Sequence, residues 1–245
     1  MTETSSRKPV VSDVESLVTS RDPTMIAQMF NSIASRYDRM NRVMTFGQDV
    51  RWRRLAADAA ALRPGASVLD VATGTGDMAR ELAGRVGSNG QVVGIDIAEG
   101  MMDLGRAKCA GLPVQFEVRD VHSLGFDSEF DAAVVAFGFR NFTDRPRGIE
   151  SMSAALKPGG RLVVLELIPP HNRLRPVIKI YESRIIPLIA RVFAEDGDAY
   201  RYLPESVAAS SSVVNIKDML KAAGLRNIAS RELNLGTVGI VWGTR

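Results

Sequence analysis

Between Arg63 and Ile168 the chain alternates short β-branched runs with helical stretches, and nothing else in it limits the fold as strongly. Strands are predicted at Val68 to Ala72, Val92 to Ile97, Val114 to Val118, Phe130 to Phe137 and Arg161 to Ile168. Helices are predicted at Asp77 to Val86, Glu99 to Ala110 and about Asp144 to Leu156. Repeated β-α units of this length build a parallel sheet with helices on both faces. Leu162-Val163-Val164-Leu165 is apolar without alternation, as a strand covered on both faces must be. Near the end, about Arg226 to Leu233 and Gly236 to Trp242 read as strands joined by a very short connection. That makes a hairpin, so at least one strand runs antiparallel to its neighbour. The expected fold is a doubly wound, mostly parallel α/β sheet.

The flanking segments are helical. Asp22-Pro23 is a good helix start, and Ile26, Met29, Phe30, Ile33, Tyr37, Met40 and Met44 follow at helical spacing. A second helix is predicted from about Asp49 to Ala61. Residues 1–21 are polar and rich in Ser and Thr, which predicts a disordered tail. After the fifth strand, Pro169-Pro170 opens an apolar-striped helical insertion, read as a lid at about 170–198. Residues 22–245 are expected to form one domain.

Composition excludes several classes. The formal charge is only +3, with an isoelectric point near 9.2, so nothing argues for nucleic acid. That balance is compatible with transient contact with an anionic membrane surface. One cysteine, Cys109, and two histidines cannot build an internal disulfide or a Cys/His zinc centre, and no metal site is expected. Cys109 reads as structural, and the thiol usage fits a reducing compartment. No stretch reaches the roughly 18–20 apolar residues of a bilayer span. The expectation is a cytoplasmic protein, peripheral to the inner membrane face at most. A homodimer is left open.

Val68-Leu69-Asp70-Val71-Ala72-Thr73-Gly74-Thr75-Gly76-Asp77 joins the first strand to its helix. Gly74 and Gly76 let the backbone turn sharply and approach a ligand beyond the strand's carboxyl end. Asp96, about 20 residues on, ends the second strand, where a carboxylate can take both hydroxyls of a ribose. Those features alone also fit NAD. Charge separates the two: Asp70 and Asp77 flank the loop, and a carboxylate at that helix terminus would repel a pyrophosphate. S-adenosylmethionine has no phosphate and carries a sulfonium and an ammonium, which such acids attract. Asp120, at the end of the third strand, is placed to accept the adenine amine; a solvated loop acid or helix cap is the alternative.

Four further segments carry a resemblance. They are Phe30-Asn31-Ser32-Ile33-Ala34-Ser35-Arg36-Tyr37-Asp38, followed by Asn41 and Phe46-Gly47; Phe137-Gly138-Phe139-Arg140-Asn141-Phe142-Thr143-Asp144; Leu156-Lys157-Pro158-Gly159-Gly160; and Tyr200-Arg201-Tyr202-Leu203-Pro204-Glu205-Ser206. In these the chain resembles the ubiquinone/menaquinone biosynthesis C-methyltransferases, from about Pro23 onward. The resemblance implies a class I, Rossmann-like methyltransferase fold of seven strands, one antiparallel. It implies cofactor contacts at Thr75, Asp96, Asp120 and Val121, beside Asp70, Gly74 and Gly76 of the loop. The serine that can precede Phe-Gly in the family is Ala136 here.

The implied reaction is methylation of a ring carbon of a lipophilic polyprenylated quinol: demethylmenaquinol to menaquinol, or a benzoquinol on the way to ubiquinone. An O- or N-methyltransferase of another small molecule is the runner-up, and a binding protein without turnover is the second class. Arg140 is expected to favour a phenolate, Asn141 to orient a hydroxyl or water, and Asp120 or His122 to relay the proton. Tyr37, Arg140, Tyr200 and Tyr202 are the expected substrate contacts. The alternative for Arg140 is a surface ion pair with Asp144; for the tyrosines, ordinary packing.

Overall fold

The structure is a computed structural model, and it describes residues 14–169, 184 and 198–245, with side chains except at 198–201. The seven strands are β1 (Ser67–Val71), β2 (Gln91–Asp96), β3 (Val114–Val118), β4 (Phe130–Ala136), β5 (Leu156–Leu167), β6 (Arg226–Leu233) and β7 (Val238–Thr244). Their order is β3-β2-β1-β4-β5-β7-β6. β7 is antiparallel to β5 and to β6; the other pairs are parallel. The hairpin therefore contributes one reversed strand, inserted between the edge strand and the parallel set. Strand order changes direction between β1 and β4, and an open α/β sheet binds ligands beyond the carboxyl ends at such a point.

Successive side chains of a strand point to opposite faces, which divides the core in two. Leu69, Val71, Ala133, Val135, Leu162 and Val164 pack on one face, with Ile149 and Met152 of α6 (Arg145–Ala155) and Ile216 of α8 (Val213–Ala222). Val68, Ala132, Val134, Val163 and Leu165 pack on the other, with Trp52 of α3 (Gln48–Ala59) and Leu82 and Val86 of α4 (Asp77–Val86). α5 (Glu99–Lys108) follows β2.

Two N-terminal helices roof the sheet's carboxyl end. α2 (Pro23–Met44) starts as the sequence predicts: Asp22 Oδ1 accepts from the Met25 N–H at 2.9 Å and proline takes the first turn. The tail expectation fails over its last part. Residues Val14–Ser20 form α1, and its Val14 and Leu17 are buried against Ile26, Met29 and Tyr202. Val14, Leu17 and Val18 make an i, i+3, i+4 stripe, too short to stand out in a polar segment but enough to dock one helical face. The lid assigned to 170–198 lies outside the described residues, apart from an exposed Arg184. α7 (Asp198–Ala208) follows it.

Candidate active site

A cleft enclosing about 780 Å³ of atom-free space opens at the switch point. Its floor is the loop after β1, its sides the segments after β2, β3 and β4, and its roof Ile26, Phe30 and Tyr37 of α2. The floor turns away from β1 through left-handed residues: Ala72 and Gly74 at φ 54° and Gly76 at 77°. Gly138, after β4, meets this loop so closely that a Cβ would lie 2.4 Å from that of Ala72. Only glycine fits where the two loops cross.

Asp96 organises the cleft. Its Oδ2 accepts from the Gly74 N–H at 2.8 Å and its Oδ1 from the Ala98 N–H at 2.9 Å. Burial raises its pKa against these N–H groups, which favour the carboxylate. A carboxylate offers about four lone-pair sites, so two remain for hydroxyl donors at the cleft. Asp120 and Val121 border the opposite side. Asp120 Oδ1 accepts from the His122 N–H at 2.9 Å and lies 2.7 Å from His122 Nδ1, so the expected acid and its expected relay partner form one unit. Ala136 also lines the cleft.

Three further predicted cofactor residues belong to this loop but are not among the residues that line the cleft. Asp70 is fully buried, does not border the cleft, and accepts from the Thr73 hydroxyl at 2.6 Å, with Oδ1 unpartnered. Burial pushes its pKa to about 7. Thr75 donates to Asp38 Oδ1 of α2 at 2.5 Å, and Gly76 packs against α5, where a Cβ would meet Phe116, Cys109 and Gly105. Asp77 has cationic partners that the charge argument did not include. Its carboxylate lies 2.6 Å from Lys108 Nζ and 3.6 Å from Arg42, and despite burial Lys108, Arg53 and Arg80 hold its pKa low. Lys108 also reaches Asp38 at 2.6 Å and Thr75 at 3.1 Å. This cluster clamps α2 to the cofactor loop instead of offering a free anion to a ligand.

A second, smaller cavity, with about 390 Å³ of atom-free space including open solvent, adjoins the first, with Phe30 and Tyr37 in both walls. Its other walls include Ile33, Met40, Met44, Arg140 and Tyr202. The Phe30 and Tyr37 rings meet edge to face at 5.8 Å. Arg140 is no surface residue: it is 5% exposed and pairs with the fully buried Glu166 at 2.8 Å. Asp144, the alternative partner, caps α6 by accepting from the Arg147 N–H at 3.0 Å. Burial disfavours the Arg140 charge, but Glu166 and the two tyrosines outweigh it and raise its pKa. Arg140 Nε donates to Ser206 and Nη1 to the Phe137 carbonyl. Asn141 faces the cleft and accepts from the Tyr202 hydroxyl at 2.9 Å. Tyr200 lies in the first turn of α7, and its side chain lies outside the described set.

Glu166, Asp38 and Lys108 were not predicted. Glu166 carried a signal, a charge inside a strand directly after the apolar run Leu162–Leu165, where burial demands a partner. Asp38 and Lys108 lie 70 residues apart, and nothing local relates them.

The same fold occurs in a SAM-dependent methyltransferase from Thermotoga maritima (TM-score 0.60, 18% identity, 88% of this chain and 97% of that one). Another from Aquifex aeolicus aligns at TM-score 0.54 and 18% identity, over 94% and 93%. Together with the family match over residues 18–245, the cleft at the switch point, floored by a glycine turn and edged by the β2 acid, identifies this chain as an S-adenosylmethionine-dependent methyltransferase. It belongs to the ubiE/COQ5 methyltransferase family, whose model matches residues 18–245. The ubiquinone/menaquinone biosynthesis C-methyltransferase UbiE of Geobacter sulfurreducens is 41% identical over 226 residues, 90% of this chain and 88% of that one. The demethylmenaquinone methyltransferase of Thermus thermophilus is 42% identical over 221 residues, 89% of this chain and all of that one.

Proposed function

We propose that this enzyme methylates a ring carbon of a polyprenylated quinol, demethylmenaquinol to menaquinol. The observation that carries this reading is the second cavity. It is walled by methionines and aromatic rings, holds one arginine, and meets the cofactor cleft at Tyr37. A flat ring seated there has an apolar bed and, among the described residues, one cationic neighbour for its oxygen.

S-adenosylmethionine supplies an electrophilic methyl group. Asp96 holds ribose hydroxyls, and Asp120 and Val121 border the base. Asp70, Thr75 and Gly76 fix the loop's shape. A phenol with pKa near ~10 is scarcely ionised at neutral pH. Carbon becomes nucleophilic when the hydroxyl loses its proton and charge reaches the ortho position. Glu166 neutralises much of the Arg140 charge, so Arg140 acts mainly as a fixed donor. Its Nε and Nη1 are engaged, and Nη2, with no partner among the described residues, is left for the quinol oxygen. Asn141, held by Tyr202, orients the hydroxyl or a water, and the Asp120–His122 pair takes the proton. Alignment of the two reactants in adjoining cavities supplies much of the rest.

The Thermus relative's name favours the naphthoquinol; the Geobacter relative's name covers both quinones. A substrate with a prenyl tail lies in lipid, so the enzyme makes transient contact with a membrane surface. Among the described residues no helix is long and apolar enough to cross a membrane. The test is turnover of purified protein on demethylmenaquinol and on a polyprenyl methoxybenzoquinol in parallel. The naphthoquinol should be the better substrate by kcat/KM. Turnover of the benzoquinol alone would move the reading to ubiquinone, and turnover of neither would end it.

A further inference from the structure

We infer that the turn between α2 and α3 is the surface that enters an anionic lipid bilayer, with Phe46 as the inserting side chain. α2 ends in a Schellman turn: the Gly47 N–H donates to the Arg42 carbonyl at 2.8 Å and the Phe46 N–H to the Val43 carbonyl at 3.2 Å. The residue in Phe46's place in this motif adopts the left-handed conformation and is usually glycine. Here it is phenylalanine at φ 51°, with 78% of its surface exposed. A bulky side chain in that conformation is strained, and this one gains no packing in return. Both the backbone and the hydrophobic effect therefore disfavour Phe46 in water.

Its surroundings fit lipid headgroups. Val43, one turn back, is 37% exposed, and Arg39, two turns back in α2, and Arg51, in the first turn of α3, are exposed. The nearest acid, Asp49, is buried and held by Arg42 at 3.1 Å and Arg53 at 2.7 Å, leaving positive charge at the tip. Apolar side chains ringed by arginine are what interfacial binding to anionic lipid uses. Met40 and Met44 line the second cavity just before Phe46 in the chain, and its α2 wall from Met29 to Met44 is about 22 Å long. A tail drawn from the bilayer at Phe46 would lie along this wall with its ring at Tyr37 and Arg140. The purpose assigned to the surface thus rests on the prenylated-quinol reading; the lipid contact does not.

The test is flotation of the full chain, without substrate, with phosphatidylcholine vesicles lacking or containing phosphatidylglycerol. The parent protein should bind the anionic vesicles, less so as salt rises. Phe46→Gly and Phe46→Asn, both at ease at this backbone angle, should bind at least about tenfold more weakly, with thermal midpoints equal to or above the parent's. Arg39→Glu with Arg51→Glu should abolish the preference for anionic lipid. Parental affinity in both Phe46 variants, or no binding by the parent, overturns the inference. Loss of binding in those variants by a protein that methylates no quinol leaves this surface standing and ends the substrate reading alone.

Discussion

The Tyr202 hydroxyl donates to Asn141 Oδ1 at 2.9 Å, and that bond joins the two cavities. Tyr202 walls the second cavity and Asn141 the cleft. Asn141 is thereby held with its amide nitrogen, which has no partner among the described residues, available to a hydroxyl or water at the boundary. Tyr202→Phe should keep the ring's packing and cost about 1 kcal/mol of stability. It should lower kcat with little change in cofactor affinity, checked by steady-state kinetics and calorimetry side by side.

Arg140 and Glu166 must be tested as a pair. Removing Arg140 alone leaves a buried, unpaired carboxylate. Arg140→Ala should therefore destabilise the fold by about 3–5 kcal/mol as well as stop turnover. Arg140→Met combined with Glu166→Leu should be distinctly more stable than Arg140→Ala in denaturant unfolding, yet still inactive. Equal instability of the two would mean that the ion pair is not what holds this region.

Asp96→Ala should weaken cofactor binding by about tenfold or more, because charge-assisted hydrogen bonds in a buried site are worth roughly 1.5–3 kcal/mol. Its loss also frees the Gly74 N–H. Titration calorimetry on folded variant protein measures this directly, and unchanged affinity would remove Asp96 from the site.

Asp70 links stability to pH. Its ordinary pKa is 3.8, and burial raises it to about 7 in the folded protein. Between those values the folded state keeps a proton that the unfolded chain has lost. The contribution of Asp70 is therefore complete below pH 3.8 and disappears as pH rises through about 7. Asp70→Asn cannot ionise, so its unfolding free energy should fall less steeply between pH 4 and pH 7 than the parent's. Parallel curves in urea would contradict the buried, protonated state.

Lys108 bridges Asp38, Thr75 and Asp77. Lys108→Met should loosen α2 from the cofactor loop. Hydrogen exchange should quicken along α2, with a rise in cofactor Kd. Protection as in the parent would show that α2 is held by its apolar face alone.

Elements defined by local patterns were legible in the sequence. Asp77–Val86, Val114–Val118 and Arg226–Leu233 were read to the residue, because caps, periodicity and turn glycines act within a few positions. The acid Asp96 was legible from its place after a strand, as were the Arg140-Asn141 and Tyr202 motifs. What was not legible depends on distant residues. The insertion of β7 between β5 and β6 is a pairing choice that no local signal records. Asp77 reads as a free anion until Lys108, 31 residues on, is brought to it. Arg140 reads as a free cation until Glu166, 26 residues on, arrives beneath it. Helix α1 shows only when its short stripe is set against Ile26 and Tyr202.

The central claim is transfer of a methyl group to carbon across the boundary at Tyr37. Its most direct test uses S-adenosylmethionine labelled in the methyl carbon with demethylmenaquinol, followed by NMR of the product. The label should appear as an aryl methyl bonded to a ring carbon, at one label per quinol turned over. A label bonded to oxygen, or an unlabelled quinol recovered beside intact cofactor, would contradict the account.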